Sequence, residues 1–396
     1  MTPSQALRAA AVLLAVTVGL TACAPARATA PGSSDGAGVI GVALPTTADA
    51  VWSRGADALS RELTTRGYRV DLQFAASDAR TQAAQVRNML TKSVDAVIVA
   101  PLASGDLSTS VAAADETGVP VIAFGRSLEG LGVAGAIAFD PAALGRAQAQ
   151  TLLADLADAP TVEEVSPSPT PSPTTSDATG LVPTEEPGTA RVAVLSASES
   201  DAWESARYDA AMAALQSAIE AGRIEIVSGA TRDAALVDGD TAEGQAGAAE
   251  KRVRALWEGA QDEVPTAVLA LGDAVTRGVV TALTTDPPEV DGETASPTPS
   301  PAATDGGADA GPARAPLVVG SGADPLTVRA LRDGDLDAAV FADPRALVSA
   351  TADAVEAVRD DRDVPVEAAD EVSPSILRAD DVEELIASGW ISADEL

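Results

Sequence analysis

The chain's reactive side chains are unevenly supplied: 59 Asp and Glu, 26 Lys and Arg, one Cys and no His. Without imidazole there is no Ser-His-Asp triad, no His-bearing zinc site and no His general base. Carboxylate pairs of the kind that cleave glycosides remain, but with 59 acidic residues no one pair stands out. Asp238 and Asp240 in "VDGDTAEG" have calcium-loop spacing. The sixth position is not glycine and the later oxygen ligands are missing, so the segment reads as a solvated turn. "GLGVAG", residues 130–135, fits G-x-G-x-x-G. The dinucleotide fingerprint needs a strand before it and a helix after it, whereas another strand-like run, 136–139, follows; it reads as a loop. The expectation is a protein that is not an enzyme and carries no metal or cofactor.

What remains is binding chemistry, and the aromatics are where to look for it. There are 4 Trp, 4 Phe and 2 Tyr in 396 residues. One of them, Trp52, sits in "GVALPTTADAVWSRGADALSREL", residues 41–63, where an apolar strand turns into an amphipathic helix. It is either satellite core beneath the loop or a flat face for a ligand. Trp203 lies early in "SDAWESARYDAAMAAL", where at helical spacing Trp203, Arg207 and Ala210 share one face. Trp257 and Trp390 have apolar neighbours in or after helices and read as packing.

The first residues, "MTPSQALRAAAVLLAVTVGLTAC", have one basic residue, an apolar run and then small residues, which is a secretory signal pattern. Its end, Leu20-Thr21-Ala22-Cys23, is similar to the bacterial lipobox, which makes Cys23 the lipidated first residue of the mature chain. The alternative is an ordinary signal peptide that contains a cysteine. Cys23 is the only cysteine, so no disulfide forms within the chain. The expected organisation is a signal peptide over 1–22, a tether over 23–37, and a body outside the cytoplasm on the cell membrane. The formal charge of −33 argues against nucleic acid and against anionic lipid surfaces.

Two stretches rich in Pro, Ser, Thr and acids, within 160–189 and 284–316, bury too little apolar surface to repay ordering and read as disordered insertions. Elsewhere, short β-branched runs alternate with helical patterns. Strands are expected at 39–44, 69–74, 96–100, 121–124, 192–195, 224–227, 267–271, 317–320 and 338–341. Helices are expected at 49–66, from a cap at Ser77 to near Lys92, at 203–221 and at 240–259. Strand and helix in alternation with short connections give an α/β fold of two doubly wound parallel sheets, whose ligands sit beyond the carboxyl ends of the strands. Trp52, "FGRSLEG" (124–130), "SASESDAW" (196–203), "LGDAV" (271–275) and "GSGADP" (320–325) all fall in that zone.

The run from "GVALPTTADAVW" through "VDAVIVAP" resembles the first lobe of bacterial sugar-binding proteins of ABC importers, the xylose and multiple-sugar type. The likeness resumes in "VPVIAFGRSL", "IAFDPAALGRAQAQ", "RYDAAMAAL", "LGDAVTRGVV", "GDLDAAVFADPRALVSATADAV" and "PSILRADDVEELIASGW". It implies a clamshell with a three-crossing hinge near 125–139, 341–343 and 362–374. The N-terminal lobe is then 38–138 with 342–362, and the C-terminal lobe 139–341 with 363–396. The family stacks an aromatic on the sugar ring and hydrogen-bonds its hydroxyls. By the resemblance, Trp52 is the stacking residue, Arg126 the arginine of an Asp-Arg pair, Asp273 the second-lobe carboxylate, and Asp140 a retained Asp. Trp203 adds a second wall. Cys23 carries the anchor.

Elsewhere the family pattern is broken. Its Asp before the arginine is Gly125, its Asn after Phe-Asp is Pro141, and its Gln-Asp pair falls on Ser321 and Gly322. The Asp after the third strand falls on Ala103, and an Asn-Asn pair on Ala202 and Trp203. A sugar hydroxyl shut away without its partner costs about 1–3 kcal/mol, so four such losses rival the roughly 8 kcal/mol of micromolar binding. The expected ligand is therefore less hydroxylated than xylose, or tight binding is lost. Function follows in two forms. One is a lipid-anchored receptor that delivers a small molecule to a membrane permease; the other is a surface sensor or protein-interaction scaffold on the same fold.

Overall fold

The computed structural model describes residues 38–396 apart from 48, 103, 129, 159–188, 198–201, 240, 260–263, 286–315 and 365–372. The signal pattern, the tether, Cys23, Ala103, Asp240 and most of both Pro-rich stretches lie outside the described residues.

The first sheet has five parallel strands, β1 (Gly38–Leu44), β2 (Tyr68–Phe74), β3 (Ala96–Val99), β4 (Val121–Gly125) and β5 (Gly135–Ala138), in the order β2-β1-β3-β4-β5. Helix α1 (Ala50–Thr65) covers one face; α2 (Ala79–Thr91) and α3 (Ser104–Thr117) cover the other. Both faces are covered, which is why the inner strands β1, β3 and β4 read as continuous apolar runs, while the edge strand β2, YRVDLQF, alternates. α2 is capped by Asp78, whose carboxylate accepts from Thr81 N–H at 2.6 Å. Ser77, the expected cap, instead sits beside Ala76 in a tight turn with φ of 62° and 51°, closed by Asp78 N–H donating to Ala75 O at 3.0 Å.

The chain leaves this sheet after β5. Helix α4 (Pro141–Asp158) packs on α5 (Ala202–Glu220) against the second sheet. That sheet contains β6 (Ala190–Ser196), β7 (Ile224–Ser228), β8 (Ala267–Leu271), β9 (Leu317–Ser321), β10 (Ala338–Phe341) and β11 (Ser375–Leu377), in the order β11-β10-β9-β8-β6-β7. All of its pairings are parallel except β10–β11. Its other face carries α7 (Ala242–Trp257), α8 (Asp273–Thr285) and α9 (Pro325–Asp333), while the short α6 (Arg232–Ala235) lies beside β6. α8 runs through Thr285, past residue 284 where an insertion was expected.

After β10 the chain returns to the first sheet, where α10 (Val348–Arg359) packs beside α1. It then joins the second sheet again through β11 and α11 (Val382–Ala387). Trp390 follows, fully buried, donating its indole N–H to Ala323 O at 2.6 Å and lying 4.6 Å from the Phe341 ring. The architecture is two α/β lobes of parallel strands. In each, strand order reverses beside the first strand, between β1 and β3 and between β6 and β8, which opens a crevice at the carboxyl ends.

Candidate functional site

Both crevices open onto one cleft of about 850 Å³. Pro45, Asp49 and Trp52 follow β1 and Leu102 follows β3; from the other lobe come Ala197 after β6 and Gly272 and Asp273 after β8. The topology, not any one side chain, places them together.

Asp49 ends the β1–α1 loop and caps α1, accepting Val51 N–H at 2.9 Å. Burial is the main force on its acidity, and the Asp273 carboxylate adds to it. Together, against the opposing pull of the Val51 N–H and Arg277, they push its pKa from 3.8 up to about 6. Trp52 stands in the first turn of α1, half-buried, and its ring edge rests on Gly125. A Cβ at position 125 would lie 3.1 Å from Trp52 Cη2 and 3.2 Å from Cζ3. Gly125 also has φ of 75°, a conformation that side-chain-bearing residues resist. The position where the resemblance leads one to expect Asp is therefore covered by the tryptophan.

Asp273 opens α8 as its first helical residue, not as its cap. Its carboxylate accepts a 2.6 Å bond from Ser321 Oγ at the end of β9 and lies over Gly322. With φ of 88° there, a Cβ on residue 322 would come within 2.7 Å of Asp273 Cγ. Ser321 Oγ in turn accepts from Arg207 Nη2 at 2.8 Å, and Arg207 Nε donates to Gln148 Oε1 at 2.8 Å. Gln148 spends its amide on Ala270 O and Gly320 O, at 2.9 and 3.0 Å. This buried run ties α4, α5, β8, β9 and α8 together. Burial lowers the Arg207 pKa, while Glu204 and Asp273 hold the charge in place.

Arg126 reaches across from the first lobe. Its Nη2 pairs with Glu204 Oε1 at 3.3 Å, and its guanidinium lies 5.6 Å above the Trp203 ring. Trp203 lines a smaller pocket of about 80 Å³ that also touches Trp52, Arg126, Arg207 and Asp273, but it is not on the wall of the large cleft. Of the five expected binding residues, Trp52, Arg126 and Asp273 share the cleft and Trp203 lies in the adjoining pocket. Asp140 borders neither: its carboxylate accepts Ala142 N–H at 2.8 Å at the start of α4 and pairs with Arg146. Arg126 thus pairs with Glu204 and Asp140 with Arg146. Asp49, Glu204, Arg207 and Arg277 also line the cleft; of these the sequence draws attention only to Arg207, on the helical face of Trp203.

A family profile described as periplasmic binding protein domain matches residues 40–362. The chain belongs to that family. Among curated relatives it is 33% identical over 103 residues to the multiple sugar-binding periplasmic receptor ChvE of Rhizobium radiobacter, covering 26% of this chain and 29% of the receptor. It is 28% identical over 114 residues to the D-xylose-binding periplasmic protein of Escherichia coli, covering 29% and 34%. It is 38% identical over 81 residues to a xylitol-binding protein of Mycolicibacterium smegmatis, covering 20% and 23%. These alignments thus span about a third or less of each relative, and the relatives are named for binding, not for catalysis. Among solved structures, an ABC-transporter solute-binding protein from Clostridium phytofermentans with bound β-D-glucose superposes with a TM-score of 0.68 at 22% identity, over 90% of this chain and 99% of that one. One from Mycobacterium smegmatis with bound glycerol gives 0.62 at 17%, over 89% and 97%. At these identities the structural likeness is one of fold. Among the described residues, no helix of this family member is long and apolar enough to cross a membrane.

Proposed function

We propose that this member of the family is an extracytoplasmic receptor that captures a sugar or polyol in the inter-lobe cleft and delivers it to the permease of an ABC importer. The observation that carries this reading is that Trp52 and Asp273, from opposite lobes, line one cleft at the carboxyl ends of both sheets. Trp52 offers an apolar face to the C–H side of a ring, while Asp273, Arg126 and Arg207 offer acceptors and donors to hydroxyls. Binding proceeds by lobe closure: a ligand touching both lobes stabilises the closed form by its differential affinity. The sugars and polyols named for the relatives and neighbours set the range of candidates. Lipidation at Cys23 holds the receptor on the membrane's outer side, and labelling by a fatty-acid analogue that vanishes in Cys23→Ala checks it.

A thermal-shift screen of pentoses, hexoses and polyols tests the main reading, because a ligand of the native state raises the melting temperature by mass action. A second reading, a sensor or scaffold that no longer binds sugar tightly, draws on the Trp52 ring over Gly125 and the Asp273 carboxyl over Gly322, which cover the floor from within. If no sugar or polyol shifts the melting temperature, the second reading stands and the first fails.

A further inference from the structure

Among the described residues two glutamines are fully buried, one in each lobe, and both sit where strands end. In the first lobe the β1–β3 ladder closes with Ala43 beside Val99. There Gln82 of α2 donates through Nε2 to Ala100 O at 2.7 Å and to Ala43 O at 3.4 Å, while its Oε1 accepts Leu102 N–H at 3.0 Å. In the second lobe the β8–β9 ladder closes with Leu269 beside Val319. One residue further on, Gln148 of α4 donates through Nε2 to Ala270 O and Gly320 O, and its Oε1 accepts from Arg207 Nε. A carboxamide suits such a joint because it carries two N–H donors and one carbonyl acceptor on a single end. In each lobe a buried amide thus joins two strand ends and gives its oxygen to a residue that lines the cleft.

The two joints differ in what the oxygen holds. For Gln82 it is a backbone N–H; for Gln148 it is a cation. Arg207 is 4% exposed, yet it lines both the cleft and the adjoining pocket, whereas Gln148 borders neither. Of the guanidinium nitrogens, Nε donates to Gln148 and Nη2 to Ser321 Oγ; among the described residues Nη1 makes no hydrogen bond. The guanidinium is a rigid planar fork, so bonds at two of its nitrogens set the direction of the third. With Gln148 Oε1 taken away, the plane is held through Ser321 alone and is free to turn about that bond.

Resting on the receptor reading above, we infer that Gln148 is a positioning residue for the cleft: its carbonyl oxygen aims Arg207 so that Nη1 meets a ligand oxygen, while its two N–H groups hold the ends of β8 and β9 together. The two roles belong to different atoms of one side chain, so they come apart on substitution. Affinity follows the acceptor and stability follows the donors. Gln148→Glu keeps an oxygen for Arg207 and loses both donors, leaving Ala270 O and Gly320 O without them. Gln148→Met, of similar length, loses acceptor and donors alike. Were the side chain only a strut between strands, affinity would fall in step with stability in both variants.

Calorimetric titration with xylose, ribose, glucose, xylitol and myo-inositol, beside thermal unfolding of the same samples, tests this. Both Gln148 variants are expected to melt below the parent. For whichever probe binds the parent, Gln148→Met is expected to lower affinity about ten-fold and Gln148→Glu to stay within about three-fold of the parent. Gln148→Asn, an amide too short to span both strands and Arg207 at once, stands in for Gln148→Met should that variant not fold. Tyr208→Phe, which removes a buried hydrogen bond from the same helix as Arg207 to Gly229 O, is the control and is expected to lower the melting temperature without moving affinity. An affinity unmoved in Gln148→Met, or one that falls as far in Gln148→Glu, overturns the positioning role and leaves the receptor reading in place. Failure of all five probes to bind the parent overturns both.

Discussion

Asp49 gives the sharpest energetic test of the cleft. It is a cap on one lobe whose carboxyl faces the carboxylate of Asp273 from the other, and burial and that charge raise its pKa from 3.8 to about 6. Because the folded value is the higher one, the folded chain binds more protons than the unfolded chain between about pH 4 and pH 6, and this group's contribution to stability falls as pH rises through that window. At about 1.36 kcal/mol per pKa unit, ionised Asp49 costs about 3 kcal/mol at pH 7 relative to pH 4. Asp49→Asn removes the charge and keeps an oxygen able to cap α1, since Asn caps helices as well as Asp does. Urea unfolding followed by circular dichroism, on parent and variant at pH 4, 5, 6 and 7, reads the difference directly. The variant is expected to match the parent near pH 4 and to exceed it by up to about 3 kcal/mol at pH 7, or roughly 5–10 °C in Tm. A difference that is constant with pH, or a variant less stable at pH 7, refutes the placement of Asp49 in a desolvated pocket against a second carboxylate.

Two further outcomes follow from contacts behind the wall. Gly145 on α4 lies directly against the Arg207 carbonyl of α5, so Gly145→Ala forces the helices apart. It is expected to destabilise the second lobe by about 1–3 kcal/mol despite alanine's better helix propensity, and a stabilised variant in chemical denaturation contradicts the close α4–α5 packing. Ser321→Ala removes the hydroxyl between Arg207 and Asp273, leaving a buried guanidinium short of a partner. A loss of about 1–3 kcal/mol is expected in the same assay, and none if that bridge is unformed.

How much of this could be read from the sequence depends on how local each feature is. The core strands announced themselves because both faces of each sheet are covered, so runs such as Ala96–Val99 and Ala267–Leu271 are apolar throughout. β11 did not: three residues, two of them exposed, paired antiparallel at an edge, give no pattern to detect. Ser77 is the cap the sequence leads one to expect, but a left-handed turn at Ala76 and Ser77, which propensity does not foresee, leaves Asp78 to cap α2. Trp52 was visible as an aromatic at a strand-to-helix corner. The partner of Arg126 was not, because Glu204 lies 78 residues away on the other lobe. Asp140 drew attention by its place after Phe139, yet its role is to start α4. Side chains whose partners come from their own turn were legible; those whose partners arrive across the cleft were not.

Trp52 is the proposed platform on which ligand sits, and calorimetry on Trp52→Ala with whichever sugar or polyol stabilises the parent tests that directly. Truncating a large aromatic at the centre of a contact typically costs 2 kcal/mol or more, so affinity is expected to fall at least about 30-fold while the variant remains folded by circular dichroism. Unchanged affinity in a folded Trp52→Ala protein would place the ligand elsewhere and contradict the inter-lobe cleft as the binding site.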